Sequence, residues 1–587
     1  AEADALVEEY KQLYTIKIDE SGEEVYWEKV RNAAKESSGA VSFMDLYSLV
    51  TGLISQNGRR GALMISMSCD HPDIEEFIDV KNDLNRVTKA NISIRITDEF
   101  MNAVINDEDY ELSFTRKETG EEIKKVVKAK ELFHKIAKNN WSMGEPGMLF
   151  WDRIENWNLL SGFDNFKYAG TNPCAEEPLP AGGSCLLGSL NLSAFVDKNG
   201  EFNFEEFVQA TYQATIALNE VLDEGLPLHP LQEQRDSVRD WRQIGLGIFG
   251  LADMLIKMGI KYGSDESIKI CNVIAEKMLN ASLAASIDLA ISNTTFPKYN
   301  YSKLAKSKFY QENAWGPIKD AILNHGLRNS QLLTIAPTGT LSTMLGVSGG
   351  IEPIFANYYT RKTESLYGED KYYKVYTPIV QKYMDEHDLT DDSELPDYFV
   401  TAGSLDYKQR IQMQATWQNY IDASISSTVN VPNEFSVEDV ENLYIEAWKA
   451  GLKGITVFRD GCARAAILST GSVSTESKEP EQTELPRGFV ITTCDNCIGK
   501  KRKLQTGCGS LHCTAFFDPV TGNLMETYLS KGSTGGCANF MVGLSRMISL
   551  AARAGCDIPD IIEQLDSCGS CPSYAVRRAT KHDTSKG

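Results

Sequence analysis

Thr171-Asn172-Pro173-Cys174-Ala175-Glu176-Glu177-Pro178-Leu179-Pro180-Ala181-Gly182-Gly183-Ser184-Cys185-Leu186-Leu187-Gly188-Ser189-Leu190-Asn191-Leu192 is the stretch on which the reading of this chain turns. Asn172, Cys174 and Glu176 stand at i, i+2 and i+4. Alternate side chains of an extended segment point the same way, so all three are expected to face one cavity. Pro173 and Pro178 discourage helix and keep the segment extended. A thiol is thereby flanked by a carboxylate that can take a proton and an amide that can fix a hydroxyl. Gly182-Gly183 permits a turn that brings Cys185 back toward Cys174. The plainer alternative is a loop with two buried cysteines acting as small hydrophobes. Asn, Glu and a second Cys together weigh against it.

Outward from this stretch, the chain alternates strands and helices. Asn91-Ile-Ser-Ile-Arg-Ile-Thr97 alternates apolar and polar residues, the pattern of a half-buried strand, and leads into a helix start with acidic first-turn residues, Asp98 and Glu99. Gln331-Leu-Leu-Thr-Ile-Ala336 and Gly454-Ile-Thr-Val-Phe458 are further strand candidates. Such alternation favours parallel pairing and an α/β fold. After the second candidate, Pro337-Thr338-Gly339-Thr340-Leu341-Ser342 reads as a strand-to-helix turn. Unpaired amides and a positive dipole end at such a turn suit an anion, although an ordinary turn has the same appearance. Gly245-Leu-Gly-Ile-Phe-Gly250 fits GxGxxG, but the preceding residues are helical in character, so Gly-rich helix packing is expected there rather than a dinucleotide fold.

The 587 residues exceed one average core, and the net charge is −22. So acidic a surface argues against DNA as a partner but leaves room for a small phosphorylated ligand. The opening AEADALVEEY lacks the basic start and apolar run of a signal peptide. The most apolar helical stretch, Gly245 to Ile256, is too short to cross a bilayer, which takes roughly 20 residues. A cytoplasmic protein with no membrane partner is expected. Residues 466–486, rich in Ser, Thr, Glu and Pro, have linker composition and separate residues 1–465 from a Cys-rich domain over 487–587. Eight of the thirteen cysteines lie after residue 490. Cys494, Cys497, Cys508 and Cys513 loosely fit a zinc-ribbon-like site. Cys568 and Cys571 form a second CxxC, open to a redox-relay reading or to completing a metal site.

The Thr171–Leu192 stretch resembles the active-site finger loop of ribonucleotide reductases, in which Asn-x-Cys-x-Glu precedes a second Cys and a Leu-rich run ending in Asn-Leu. The resemblance implies a ten-stranded α/β barrel, N-terminally incomplete in this chain, plus the small Cys-rich domain. It implies that Cys174 carries a thiyl radical that removes the ribose 3′-hydrogen. Glu176 would deprotonate the 3′-hydroxyl, Asn172 would hold substrate hydroxyls, and Cys185 would be one of two reducing thiols. Pro337 to Ser342, with Gly346-Val-Ser-Gly-Gly-Ile-Glu-Pro-Ile-Phe355, resembles the substrate phosphate loop. Asn57-Gly-Arg-Arg-Gly-Ala62, His71 to Ile78 and Ser427-Thr-Val-Asn-Val-Pro432 also fit the family. Asn82 to Asn91 occupies the place of the loop that relays effector identity to substrate choice.

Within the family, the oxygen-dependent class carries a tyrosine pair after Gly-Leu-Lys, and here the run Gly451-Leu-Lys-Gly-Ile-Thr-Val-Phe458 has none. Tyr358-Tyr359 stands elsewhere and reads as packing. No glycyl-radical site is evident. The 11-residue spacing of Cys174 and Cys185 and the Cys-rich tail resemble the adenosylcobalamin-dependent class. That resemblance implies ribonucleoside diphosphates as substrates, deoxynucleotide or ATP effectors, a thioredoxin-like reductant and a homodimer, with zinc a further candidate in the tail. The family's second reducing Cys falls before residue 1, so the chain is expected to lack one electron donor. Two alternatives stay open: a large subunit served by a separate metal-containing radical subunit, and an inactive fragment that binds metal.

Overall fold

The computed structural model describes residues 39–56, 59–117, 119–363, 371–463, 490, 497–506, 509–518, 523–531, 538–554, 556 and 561. The strands that frame the site are β1 (Leu63–Ser68), β2 (Ala90–Ile96), β3 (Gly147–Phe150), β4 (Leu187–Asn191), β5 (Gly245–Phe249), β6 (Thr428–Val431) and β7 (Gly454–Arg459). β1, β2 and β3 are mutually parallel. β3 meets β7 antiparallel, with Leu149 opposite Gly454, and β7 runs parallel to β6. Beyond β6 the ladder continues through residues 331–335. Ile335 N donates to the Ser424 carbonyl (3.1 Å) and Ser426 N to that of Ile335 (2.8 Å). On the other side Leu246 N donates to Leu332 (2.8 Å) and Thr334 N to Leu246 (3.1 Å). β5 then pairs parallel with β4. Two parallel sets therefore meet antiparallel at the β3–β7 seam. This is the α/β architecture expected; closure into ten strands is not traced among the described residues.

Three sequence expectations change here. Gln331–Ala336 is extended and bridged on both sides, but as isolated bridges rather than a continuous strand. Gly245–Phe249 is a fully buried strand, not part of a helix. The reason lies in its glycines, which stand two apart and so share a strand face. A Cβ on Gly245 would lie 2.3 Å from Glu177 Oε1, and one on Gly247 would lie 2.2 Å from the Thr334 carbonyl oxygen. Glycine there admits a close neighbour rather than a phosphate. Finally, Tyr358 packs edge-on against Tyr376, whereas Tyr359 is exposed rather than packed.

Helices cover the strands: α1 (Gly39–Leu53), α2 (Asp98–Asn106), α3 (Ala129–Met143), α4 (Gln232–Trp241), α5 (Leu251–Lys257), α6 (Asp265–Ser292), α7 (Gly339–Leu345), α8 (Tyr407–Gln418) and α9 (Val437–Lys449). α2 begins where the sequence places it. The Thr97 side chain accepts from Phe100 N, a cap that contributes about 1 kcal/mol. Ile92, Ile94 and Ile96 of β2 bury with Phe100, Phe133 and Tyr444 in one core. Ile248, Leu333 and Ile335 bury with Met278 and Trp417 in another. Each such side chain contributes roughly 1.5–3 kcal/mol by leaving water. Both faces of the β5 region are thus filled, which explains its unbroken apolar run.

The chain divides into two compact units, Ala1–Ser472 and Val473–Gly587. In the second, β8 (Ile498–Thr506), β9 (Gly509–Phe517) and β10 (Leu524–Lys531) form an antiparallel meander, joined by α10 (Ala538–Arg553). Thr527 of β10 is locked to α10: its backbone N donates to Ser549 Oγ (2.8 Å) and its hydroxyl to the Ser545 carbonyl (3.0 Å). Residues 466–486, read as a linker, lie outside the described residues. No helix among the described residues is long and apolar enough to cross a membrane.

Candidate active site

The Cys174 segment is a tight turn, not the extended run expected. Gly170–Thr171 and Pro178–Leu179 pair antiparallel beneath it. Asn172 closes it twice: its carbonyl accepts from Ala175 N (3.0 Å) and its side-chain Oδ1 from Glu177 N (3.1 Å). Ala175 adopts φ +64°, a left-handed conformation that a non-glycine residue holds only when its surroundings enforce it. Asn side chains close turns in this way, which the i, i+2 alternation overlooks. The carboxylate and the thiol still converge, because the turn folds Glu176 back toward Cys174.

The turn is fastened to the strands through Glu176. Its carbonyl accepts from Thr334 Oγ1 (2.7 Å) and from Ser424 N (3.0 Å). Its carboxyl group is buried, 3% exposed, and Oε2 has no hydrogen-bond partner. Burial pushes its pKa above the ordinary carboxylate range, while the Asn172 side chain works the other way. Cys174 reaches solvent, yet enough protein surrounds the thiol for desolvation, then the Glu176 charge, to raise it to about 11. Cys185 is likewise solvent-accessible and raised to about 12, by desolvation and then by Glu177 and Glu176. Both cysteines are free thiols, and the Glu176 carboxylate acts on both. A cysteine nucleophile needs a lowered pKa. These thiols keep their hydrogen at neutral pH, which suits hydrogen-atom and electron transfer instead.

Behind the turn lies a buried polar shell that the sequence reading missed. Glu177, 1% exposed, accepts from Gln331 Nε2 (2.7 Å), and Gln331 Oε1 accepts from Gln243 Nε2 (3.0 Å). Burial drives the Glu177 pKa well up. Asp422 accepts from Leu332 N (2.9 Å) and Leu333 N (2.7 Å), and burial raises it to about 6. Lys453, equally buried, donates to the carbonyls of Asp422 and Ala423, and burial lowers its pKa well below the usual lysine range. A lysine opening an apolar strand, and the doubled Glu176-Glu177, were the available signals.

The loop expected to hold phosphate leaves the end of residues 331–335. Thr338 takes φ +50°, and its hydroxyl accepts from Gly350 N (3.0 Å). Gly339, Thr340 and Leu341 are exposed, and Pro337 and Thr338 partly so. Ser342 is buried and donates its hydroxyl to the Gly339 carbonyl (3.1 Å). Glu352, from the following motif, pairs with the buried Arg410 and accepts from Thr428 N (3.1 Å), so it braces the loop against β6 and α8. Ser427–Pro432 is the β6 region, and of the Asn57–Ala62 motif residues 57 and 58 lie outside the described residues.

In the tail, Cys497 is disulfide-bonded and Cys513, in β9, is a free thiol. A disulfide sulfur is not a thiolate ligand. Cys494, Cys508, Cys568 and Cys571 lie outside the described residues. Cys69 is buried, with its sulfur 3.6 Å from Tyr110 Oη.

The sequence that builds this site matches a known family. The family description "ribonucleotide reductase, barrel domain" fits residues 21–458, and a TSCPD domain fits 495–585. The chain belongs to the ribonucleotide reductase family. It is similar to a "vitamin B12-dependent ribonucleoside-diphosphate reductase" of Thermoplasma acidophilum, 34% identical over 465 residues, covering 76% of this chain and 57% of that protein. A protein of the same name from Mycobacterium tuberculosis is 32% identical over 484 residues, 80% of this chain and 66% of the relative. A "vitamin B12-dependent ribonucleotide reductase" of Streptomyces avermitilis is 27% identical over 613 residues, 88% of this chain and 62% of that protein. The chain thus spans about three fifths of the length of the curated relatives it matches.

Proposed function

We propose that this chain carries the catalytic core of a ribonucleotide reductase that converts ribonucleoside diphosphates to their 2′-deoxy forms, with adenosylcobalamin as radical source. The observation that carries the reading is the Cys174 turn: an accessible, protonated thiol beside a buried carboxylate whose Oε2 lacks a donor. A buried acceptor without a partner suits an incoming hydroxyl. Glu176 would receive the ribose 3′-hydroxyl proton there, and Asn172 would help orient it. Cys174, as a thiyl radical, would take the 3′-hydrogen and later return it. The 2′-hydroxyl would leave as water. Cys185 and a second thiol, not assigned to a residue of this chain, would supply two electrons and close a disulfide, which a thioredoxin-like dithiol would reopen. The exposed amides of Gly339 and Thr340 would meet the diphosphate.

The fit to cobalamin rests on two features. Cys174 is open to solvent, so a large group can approach its sulfur. β7 offers Thr456, Val457 and Phe458 where a tyrosine relay would stand. When bound, the cofactor supplies the one-electron oxidation of the Cys174 thiol. The relatives' names support this choice, although they divide between diphosphate and unspecified nucleotide substrates. Homodimerisation is supported by α1, whose Phe43, Leu46, Tyr47 and Leu53 are exposed apolar residues, an unusual face for a monomer. Deoxynucleotide or ATP effectors are proposed by family analogy. For the tail, the disulfide at Cys497 favours thiol–disulfide exchange over a zinc site at that residue. The test is deoxynucleotide formation by the full-length protein with and without adenosylcobalamin. Product only with the cofactor is expected. Product without cobalamin, given a metal-containing radical subunit, would overturn the choice of radical source, and no product under either condition would overturn the reading.

A further inference from the structure

Charge is unevenly placed along this chain. Residues 497–554 carry seven Lys and Arg against two Asp and Glu, a net +5, whereas the whole chain carries −22. Four of the seven are consecutive, Lys500-Lys501-Arg502-Lys503, and lie on β8. All four are exposed, and no ion pair among the described residues neutralises them. β8 pairs only with β9, so it is an edge of the three-stranded sheet. Lysines alone can serve merely to guard such an edge. Their neighbours point to a ligand. Side chains alternate along a strand and cross-strand partners share a side, so the register sorts the sheet into two faces. Lys500, Ala515 and Thr527 share one face, and the Thr527 hydroxyl reaches the Ser545 carbonyl there, so α10 covers it. The opposite face runs Lys501–Thr514–Tyr528 and Lys503–His512–Ser530, with Gly499–Phe516–Glu526 at its end. Tyr528 is 64% exposed. A Cβ on Gly499 would lie 2.8 Å from Phe516 Cε1, so the missing side chain lets the Phe516 ring lie across β8. His512 Nδ1 has no hydrogen-bond partner among the described residues. Glu526 is the one carboxylate in these three rows.

We propose that the face of the β8–β10 sheet opposite α10 binds single-stranded nucleic acid, with Lys501 and Lys503 meeting backbone phosphates and Tyr528 and Phe516 stacking on bases. Cations supply a sequence-independent attraction to a phosphate backbone. Aromatic rings on a flat sheet offer unpaired bases a stacking surface, which a duplex with its bases stacked inside cannot use. The total charge of the chain, which speaks against a nucleic-acid partner, is an average, and a local excess of cations sets the field at this face. An acidic polypeptide would engage the lysines but leave the rings without a role. The proposal stands apart from the radical chemistry at Cys174 and does not depend on it.

The experiment titrates the full-length protein into a fluorescent oligodeoxythymidylate of about 20 nucleotides and follows anisotropy at about 50 and about 200 mM NaCl. Binding should weaken by roughly seven- to fiftyfold between the two salt concentrations if two to four phosphates are met. Lys501→Glu with Lys503→Glu should weaken binding by about tenfold or more and flatten the salt dependence, whereas Lys501→Arg with Lys503→Arg should retain both. Tyr528→Ala should weaken binding by about fivefold or more and leave the salt dependence unchanged, because stacking carries no charge. All three positions are exposed, so these changes leave the packing of the sheet on α10 intact. No binding at the lower salt, binding that survives the glutamate pair, or binding that ignores Tyr528→Ala would each overturn the proposal. So would a duplex of the same length bound as tightly. Equal displacement of the oligonucleotide by polyaspartate would overturn it too, and would assign the face to an acidic polypeptide.

Discussion

At the scale of single residues, adjacent carboxyls are given different work by one turn. Glu176 and Glu177 are both buried; Gln331 donates to the Glu177 carboxyl, whereas Glu176 keeps Oε2 without a partner. With Glu176 as the proposed base, its raised pKa puts the acid limb of turnover above the ordinary carboxylate range, because the group must be ionised to accept a proton. A pH–rate profile of kcat/KM would check this: the limb should vanish with the activity in Glu176→Gln. Glu177 makes a stability prediction. Its folded pKa lies above its unfolded value, so the folded state keeps a proton that the unfolded state releases. Stability therefore falls as pH rises from the unfolded pKa toward the folded one. Glu177→Gln should remove this fall, so its melting temperature relative to the parent should be higher at pH 8 than at pH 5. Asn172, Cys174, Glu176 and Cys185 stood out as candidates by residue type and spacing, and Glu176 does lie close enough to act on both thiols. Glu177 did not stand out, since its direction depends on a turn that alternation alone misrepresents.

At the scale of elements, close approach decides what periodicity cannot. β2 and α2 were legible, having a clean alternation and a Thr cap. Gly245–Phe249 was misread because a short apolar run suits helix or strand equally, and only the neighbouring Thr334 and Glu177 explain its glycines. Gly245→Ala should therefore cost about 1–3 kcal/mol by overpacking, measured by chemical denaturation. A neutral effect would contradict the close β5 contact as the reason for glycine at this position. Arg410 provides a second check. It is 3% exposed and pairs with Glu352, which in turn accepts from Thr428 N of β6. Arg410→Ala strands the Glu352 carboxylate and should destabilise by about 3 kcal/mol. Diphosphate binding should weaken in parallel, and calorimetry would measure both.

At the scale of the whole molecule, two parallel strand sets of opposite direction bring the Cys174 turn and the Thr338 loop onto residues 331–335 together. The α/β class followed from alternation, but the antiparallel β3–β7 seam did not, because nothing local in either strand encodes its partner. The exposed apolar face of α1 makes its own prediction: Leu46→Glu with Leu53→Glu should shift sedimentation from dimer to monomer, and an unchanged dimer would remove this face from the interface. The central claim is radical chemistry at one sulfur. Its most direct test is Cys174→Ser in the full-length protein, with deoxynucleoside diphosphate formation and substrate Kd measured on the same preparation in the presence of adenosylcobalamin. Product should disappear while Kd stays within about twofold, the size of a small binding perturbation. Product formation at the parent rate by the serine variant would contradict the account.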